Sequence, residues 1–340
     1  MNILLTSNRF HPDIGGIEGI SDLLARSFVA AGHAVRLVTQ SPGSVDEDHA
    51  LFLFPVFRQL SSCELLAAYR WADVVFQNNL EVRQLWPSLF IRKPVVIGLQ
   101  TWIRDVDGER GAVQRVKQWS LSRASTVIAC SEAIRVDSCR HAVVIGNPYR
   151  SRLFRLLPEL ERQRSIVFVG RLVSDKGVDM LLRAFAALHR PQWRLSIVGD
   201  GPERKVLQAL SQELQLGNSV SFLGAMQGEQ LVRLLNQHEL MVVPSRWREP
   251  FGVVALEGLA CGCVVLASDG GGLPDAVGPA GLLFKRGDEV DLTRKLAQLM
   301  DDAPMRAMLR ARTPAHLEAF QQQAVCDRYL AVLEEAFSSR

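Results

Sequence analysis

Short apolar runs alternate along the chain with longer stretches in which apolar residues recur every three or four positions. Asn2–Thr6 reads as a strand, and Gly19–Gly32 as a helix with Ile20, Leu23, Leu24, Phe28 and Val29 on one face. Ala34–Thr39 is the next strand. Leu51–Val56, Asp73–Phe76, Pro94–Leu99, Thr126–Cys130 and Val143–Ile145 follow as strand candidates. After the polar stretch Leu157–Arg164 the pattern restarts. Ser165–Val169, Arg194–Val198, Val220–Leu223, Leu240–Val243, Val264–Ala267 and Gly281–Phe284 read as strands. Val178–Leu188, Arg204–Gln215, Glu229–Asn236 and Val253–Ala260 read as the helices between them. Such alternation predicts parallel strands with crossover helices. Two successive series predict an α/β chain of two Rossmann-like, doubly wound domains. Ligands of that architecture bind beyond the carboxyl ends of the strands, here expected in a central cleft between the domains. The segment Pro314–Phe337 reads as helical through Leu317, Phe320, Val325, Tyr329, Leu330 and Leu333, and its periodicity leaves open which domain it packs on.

The length of 340 residues agrees with this division, since single cores stop growing near 250 to 300 residues. A hydrophobic fraction of 48% against 22% charged residues is that of an ordinary globular chain and excludes a disordered one. Net charge is +3, with 16 Lys and Arg against 14 Asp and Glu up to Arg150 and 23 against 22 beyond it, so charge gives no argument for nucleic acid. None of the six cysteines stands in a C-x-x-C pair. Cys261 and Cys263 fall in an apolar run that suits buried thiols better than zinc ligands, and reduced, cytoplasmic cysteines are expected. The apolar stretch after Met1 is too short for a signal peptide, and no run reaches the roughly 18 apolar residues of a membrane span.

Three segments carry candidate chemistry. The first is Pro244-Ser245-Arg246-Trp247-Arg248-Glu249-Pro250-Phe251-Gly252-Val253-Val254-Ala255-Leu256-Glu257-Gly258, which follows a strand and opens a helix. Gly252 permits close backbone approach, and the free amides at the helix start form a site for an anion such as a diphosphate. Glu257, about one turn in, can accept hydrogen bonds from ribose hydroxyls, and Glu249 can do so from a sugar. Any single Glu in such a place is more often a loop or helix-face residue. Glu257 differs because a charge inside the apolar run Val253–Ala260 needs a partner. The second segment, Gly170-Arg171-Leu172-Val173-Ser174-Asp175-Lys176-Gly177, offers a guanidinium fork at Arg171 and a mobile cation at Lys176. Both can stabilise a leaving diphosphate without metal; an exposed turn with surface charges is the plain alternative. The third, His11-Pro12-Asp13-Ile14-Gly15-Gly16-Ile17-Glu18-Gly19, permits a close approach to phosphate at Gly15 and Gly16, or is a tight turn without a ligand. It is not a dinucleotide fingerprint, because G-x-G-x-x-G is missing, which sets a dehydrogenase aside. Gly199-Asp200-Gly201-Pro202 reads as punctuation between strand and helix.

Together these segments resemble the family 4 glycosyltransferases, which have the GT-B fold and retain anomeric configuration. The matching pieces also include Gly32-His33-Ala34-Val35, Asn147-Pro148 and Gly271-Gly272, so the resemblance covers nearly the whole chain. It implies an acceptor-side domain at residues 1–150, a nucleotide-sugar domain at 151–317 and a helix at about 318–340 crossing back to the first domain. It implies that Arg171 and Lys176 hold the donor diphosphate, Glu257 the ribose and Glu249 the donor sugar. Arg171, Lys176 and Glu249 are then the catalytic set. Backbone amides of Gly16, Val253 and Val254 would contact phosphate or sugar, and Phe251 and Gly252 would shape the sugar pocket. One departure stands out: many relatives carry a His facing the reacting sugar where this chain has Gln100, followed by Thr101 and Trp102. Gln can hydrogen-bond a hydroxyl but cannot act as acid or base. Gln100 and Trp102 are the acceptor-side candidates.

The expected activity is retaining transfer of a hexose-type sugar from a nucleoside-diphosphate sugar, UDP preferred to GDP, to a glycan or lipid-linked acceptor in cell-envelope or exopolysaccharide synthesis. No obligatory metal or other cofactor is expected, because no Asp-x-Asp stands in a suitable loop. A nucleotide-sugar epimerase on the same fold and a non-catalytic nucleotide-sugar-binding protein are the alternatives, the latter kept open by Gln100. The basic, aromatic-flanked stretch Trp102, Arg104, Arg110, Arg115, Lys117, Trp119 and Arg123 reads either as a peripheral contact with the cytoplasmic membrane face or as a solvated helix balanced by Asp105, Asp107 and Glu109.

Overall fold

The computed structural model describes residues 1–13, 15–103 and 111–339. The chain forms two compact units, one of Met1–Asn147 with Gln322–Arg340 and one of Pro148–Gln321. The breaks therefore fall after Asn147 and Gln321, against the expected 150 and 317.

The first unit is built on seven strands: β1 (Asn2–Ser7), β2 (Ala34–Thr39), β3 (Val56–Arg58), β4 (Val74–Asn78), β5 (Val95–Leu99), β6 (Thr126–Ala129) and β7 (Val143–Val144). They pair in parallel in the order β3-β2-β1-β4-β5-β6-β7. The order reverses between β1 and β4, where Ile3 lies opposite Val35 on one side and Val74 on the other. The strands are apolar on both faces because helices cover both. Helix Gly16–Ala30 buries Ile20, Leu24, Ala25 and Phe28. Helix Gln322–Ser338 adds Val325, Cys326, Tyr329 and Leu333 to the same core. Phe76 meets the Phe28 ring at 6.5 Å and the Tyr329 ring at 5.6 Å, both edge-on.

Leu51–Val56 is not a strand. Ser44 caps a helix, Val45–Leu51, by accepting from the Glu47 amide, and Asp46, Glu47 and Asp48 favour its N-terminal dipole. Phe52 and Phe54 are buried from a connecting loop, Phe52 stacking on Phe10 at 5.0 Å. Only Val56–Arg58 joins the sheet. The expected tail helix is likewise two helices, Ala303–Glu318 and Gln322–Ser338, which fall in different units.

The second unit carries β8 (Gln163–Val169), β9 (Arg194–Val198), β10 (Val220–Gly224), β11 (His238–Val243), β12 (Val264–Ser268) and β13 (Leu282–Phe284), all parallel, in the order β10-β9-β8-β11-β12-β13. This is the doubly wound order again, reversing between β8 and β11. Its core joins Phe168, Trp193, Ile197 and Leu266 with Leu181 and Phe185 of helix Val178–Leu188 and Leu292, Leu296 and Leu299 of helix Glu289–Asp301. Beside it, Arg306 and Arg310 close a half-buried ion-pair cluster on Glu239 at 2.8 and 2.9 Å. Cys261 and Cys263 are buried, with their thiols pushed up by desolvation to about 12 and about 11. Among the described residues no helix is long and apolar enough to cross a membrane.

Candidate functional site

The loops after β8 and β11 are neighbours because those strands pair at the point of reversal, the place where an open α/β sheet leaves a crevice. The loop after β8 holds Gly170–Gly177 and the loop after β11 holds Pro244–Gly252. The two are tied by backbone: the amides of Arg246 and Trp247 both donate to the Asp175 carbonyl, at 2.8 and 3.1 Å. The Arg246 guanidinium forks onto Asp179 at 2.6 and 2.8 Å. Gly177, at φ +68°, completes the join; a Cβ there would stand 2.2 Å from the Pro244 carbonyl oxygen. The turn Gly199-Asp200-Gly201-Pro202 is more than punctuation. The Leu172 amide donates to the Asp200 carbonyl at 2.9 Å, and the Glu203 amide donates to the Leu172 carbonyl at 3.0 Å, so the turn forms the bed of the Arg171 loop.

Across this junction Lys176 Nζ donates to Glu249 Oε1, which also accepts from Ser245 Oγ at 2.8 Å. Both side chains are mostly buried, at 19% and 16% exposure, so each charge depends on the other. The Glu249 backbone is fixed as well, its carbonyl accepting from the Gly272 amide at 2.8 Å. Arg171 is exposed, and its guanidinium has no hydrogen-bond or ion-pair partner among the described residues. Helix Val253–Ala260 begins beside this pair, with Gly252 at φ +112° as its N-cap. The first amides of that helix, Val253 and Val254 among them, have no intrahelical acceptor.

Glu257 lies 12% exposed on the same helix and is met by Arg150 at 3.2 Å. Burial pushes its carboxyl above the usual range, and the Arg150 guanidinium opposes that shift. The requirement for a partner was legible in the sequence, but Arg150, 107 residues away, was not identified by it. Phe251 stands directly before the N-cap Gly252. Its ring is buried, at 2% exposure, and packs on Phe320 at 5.6 Å.

The remaining candidates belong to the first unit. Gly15 is the N-cap of helix Gly16–Ala30 in extended backbone, without a side-chain cap, and Gly16 has open space around its Cα. Gln100 follows β5 and is 4% exposed. Its Nε2 donates to Asn78 Oδ1 at 3.1 Å and to the Tyr329 hydroxyl at 3.2 Å, while its Oε1 is buried without a partner. Asn78 in turn donates to Ser21 Oγ at 2.8 Å, and Ser21 donates to Ser7 Oγ at 2.9 Å. This buried network sits at the ends of β1, β4 and β5, and it anchors Gln100 inward. Trp102 is half-buried two residues on. Arg104, Asp105, Asp107, Glu109 and Arg110 lie outside the described residues. Among the described residues no cluster of His, Cys, Asp and Glu is arranged to hold a metal.

Comparison with known proteins agrees with this architecture. Residues 150–316 match the model of the glycosyl transferases group 1. A D-inositol 3-phosphate glycosyltransferase of Corynebacterium jeikeium is 38% identical over 185 residues, covering 51% of this chain and 44% of the relative. The gpi3 subunit of a phosphatidylinositol N-acetylglucosaminyltransferase of Schizosaccharomyces pombe is 24% identical over 331 residues, 88% of this chain and 72% of that one. This chain spans less than half the length of the first curated relatives it matches, at 44%, 42% and 41%. Among solved structures, Anabaena HepE in complex with UDP superimposes with a TM-score of 0.83 at 22% identity, over 98% of this chain and 100% of that one. Sucrose-phosphate synthase of Thermosynechococcus elongatus gives 0.76 at 22% identity over the whole of both chains. The fold is α/β of the GT-B type, and residues 150–316 are those that match the group 1 glycosyl transferases.

Proposed function

We propose that the protein transfers a sugar from a nucleoside-diphosphate sugar to a hydroxyl acceptor with retention of anomeric configuration. The observation that carries the reading is the Lys176–Glu249 pair, held across the β8 and β11 loops beside the start of helix Val253–Ala260. Without donor the two charges neutralise one another. With donor, Lys176 turns to the diphosphate together with Arg171 and the amides of Val253 and Val254. Glu249 then accepts from sugar hydroxyls, and Glu257 exchanges Arg150 for the ribose. In the first unit, Gly15 and Gly16 are the candidates for backbone contact with phosphate. The acceptor oxygen bonds to the anomeric carbon as the bond from that carbon to the phosphate oxygen breaks. The electron pair leaves with the nucleoside diphosphate, whose oxygen takes the acceptor proton. Catalysis is then positioning and charge stabilisation, with Arg171 and Lys176 in the place of a metal.

UDP is the proposed carrier, supported by the UDP bound to Anabaena HepE. The proposed acceptor is a glycan or lipid-linked hydroxyl. The lipid-linked choice is supported by the name of the S. pombe relative. The inward anchoring of Gln100 supports a structural role for that residue, with the acceptor met by others. The test is turnover and donor binding side by side. Arg171→Ala and Lys176→Ala should each lower turnover of a UDP-sugar by about 10²- to 10³-fold, with activity unaffected by chelator. Full turnover in both variants would refute the site. Conversion of donor without acceptor would favour an epimerase.

A further inference from the structure

Five polar side chains are buried together at the carboxyl edge of the first sheet. Ser7, Ser21, Asn78 and Tyr329 are 0% exposed and Gln100 is 4% exposed. They come from β1, helix Gly16–Ala30, β4, helix Gln322–Ser338 and the position after β5. Register gathers them, since Ser7 lies opposite Asn78 and Asn78 opposite Gly98. Gly98 leaves the room: a Cβ there would stand 3.5 Å from Asn78 Oδ1 and 3.3 Å from the Phe76 ring. The core of this unit is otherwise built of apolar residues such as Ile3, Leu5, Phe28 and Phe76. A polar cluster buried in such a core is costly, and Gln100 Oε1 has no partner among the described residues.

What the cluster accomplishes is placement, and Gln100 is its hub. The two hydrogens on Nε2 go to Asn78 Oδ1 and to the Tyr329 hydroxyl, at 3.1 and 3.2 Å. Asn78 carries the constraint to helix Gly16–Ala30, donating to the Ile17 carbonyl at 3.1 Å and to Ser21 Oγ at 2.8 Å. Ser21 donates to Ser7 Oγ, and Ser7 donates to the Arg9 carbonyl at 2.7 Å in the loop after β1. On the other side the Gln100 amide and Thr101 Oγ1 both donate to Asn79 Oδ1, at 3.4 and 3.2 Å. Asn79 itself stands in left-handed backbone at φ +70°. Two backbone segments are thereby fixed. One is the loop after β1 with the first turn of its helix, which holds Gly15 and Gly16; the other is Gln100–Trp102. Tyr329 reaches the hub from a helix 229 residues away in sequence, with its ring edge-on to Phe76. The amide is matched to this task. An imidazole at position 100 carries at most one proton on each nitrogen and could not serve Asn78 and Tyr329 from a single atom.

We propose that Tyr329 is a positioning residue for the transfer: through Gln100 and Asn78 it holds the Gly15–Gly16 turn and the segment Gln100–Trp102 in fixed relation. The inference rests on the reading that these segments meet substrate. A misplacement of about 1 Å can cost roughly 10²-fold in rate, so a bond remote from the reacting atoms acts on turnover.

Tyr329→Phe keeps the ring and removes the hydroxyl. Hydrogen exchange should quicken by about 3- to 10-fold in peptides covering Gly15–Ser21 and Gln100–Trp102, the range of one hydrogen bond. With UDP-glucose, UDP-galactose and UDP-N-acetylglucosamine as donors and water as acceptor, kcat should fall by a similar factor. KM should stay within about two-fold, because most residues assigned to the donor lie in the other unit. Tyr69→Phe is the control: that hydroxyl is equally buried in the first unit and donates to the Gln84 carbonyl at 2.7 Å, outside the network. It should lower the melting midpoint comparably and leave kcat and the exchange of both segments as in wild type. Gln100→His should reproduce the loss seen in Tyr329→Phe. The double variant should be no slower than either single change, since one proton then suffices for Asn78. The proposal is overturned if exchange in the two segments is unchanged, if Tyr69→Phe lowers kcat equally, or if the losses from Tyr329→Phe and Gln100→His add. Wild-type protein that turns over none of the donors refutes the donor reading instead, and exchange in the two segments still decides the positioning.

Discussion

Lys176 and Glu249 form a structural contact and, in the function proposed above, also a reserve of ligand groups. Removing Lys176 strands a mostly buried carboxylate, which is costlier than losing the pair together. Lys176→Ala should therefore lower stability by roughly 1 to 3 kcal/mol, and Glu249→Gln placed on top should recover part of it. A double-mutant cycle of melting midpoints measures the coupling; additive effects would show that the pair carries no energy. Glu257 is the second instance. Its folded-state pKa is raised by burial, so the folded protein holds this proton more tightly than the unfolded chain does. The associated stability is fully present below the ordinary carboxyl value and is lost as pH rises through the raised one. Glu257→Gln should then be as stable as wild type or more so at pH 8, and should lose that advantage toward pH 4, while donor affinity falls at neutral pH. Arg150→Ala removes the opposing cation and should destabilise more at pH 8 than at pH 5. Urea titrations at a series of pH values read both. Glu257 could be picked out in the sequence because a carboxylate inside the apolar run Val253–Ala260 is anomalous on its face. Arg150 could not, since its own neighbourhood is polar and nothing local ties it to position 257. Gln100 was legible as a departure but not in its effect, because Tyr329, 229 residues along, turns the amide inward.

At the level of elements, the strands were readable wherever apolar runs were bounded by turn residues, and both reversals of strand order follow from where those runs pair. The error at Leu51–Val56 has a physical origin. Phe52 and Phe54 are as apolar as a strand demands but serve the core from a loop, while the capping residue Ser44 and three acids had already committed the preceding segment to a helix. The two loops of the candidate site are held by backbone contact as well as by side chains, and Gly177 is a close joint between them. Gly177→Ala forces a Cβ against the Pro244 carbonyl in left-handed backbone. That should cost more than the roughly 1 to 2 kcal/mol of the conformation itself and should weaken donor binding through displacement of Lys176. Isothermal titration with UDP beside a melting curve would check it. Donor affinity equal to wild type in a folded variant would show that the loops do not need this contact.

For the whole molecule, two units with separate cores invite separate transitions on heating. Most residues assigned to the donor lie in the unit Pro148–Gln321, so nucleotide should act chiefly on that transition. At about 100 times its dissociation constant a ligand adds roughly 2.7 kcal/mol, enough to move a midpoint by about 5 to 11 °C in a domain of this size. Differential scanning calorimetry with UDP and GDP would both locate the effect and rank the bases. A shift confined to the other transition would move the donor site to the first unit.

Helix Gln322–Ser338 has one further consequence, for synthesis. The unit that contains the first residues is missing Val325, Tyr329 and Leu333 from its core until those positions have been translated, whereas Pro148–Gln321 is continuous and closes its core earlier. On the ribosome the later-encoded unit is therefore free to fold first, reversing the usual amino-to-carboxyl order. The earlier one waits with part of its apolar sheet unroofed. That interval exposes the nascent chain to chaperones, and it makes the yield of native protein sensitive to a stop codon placed just after Gln321.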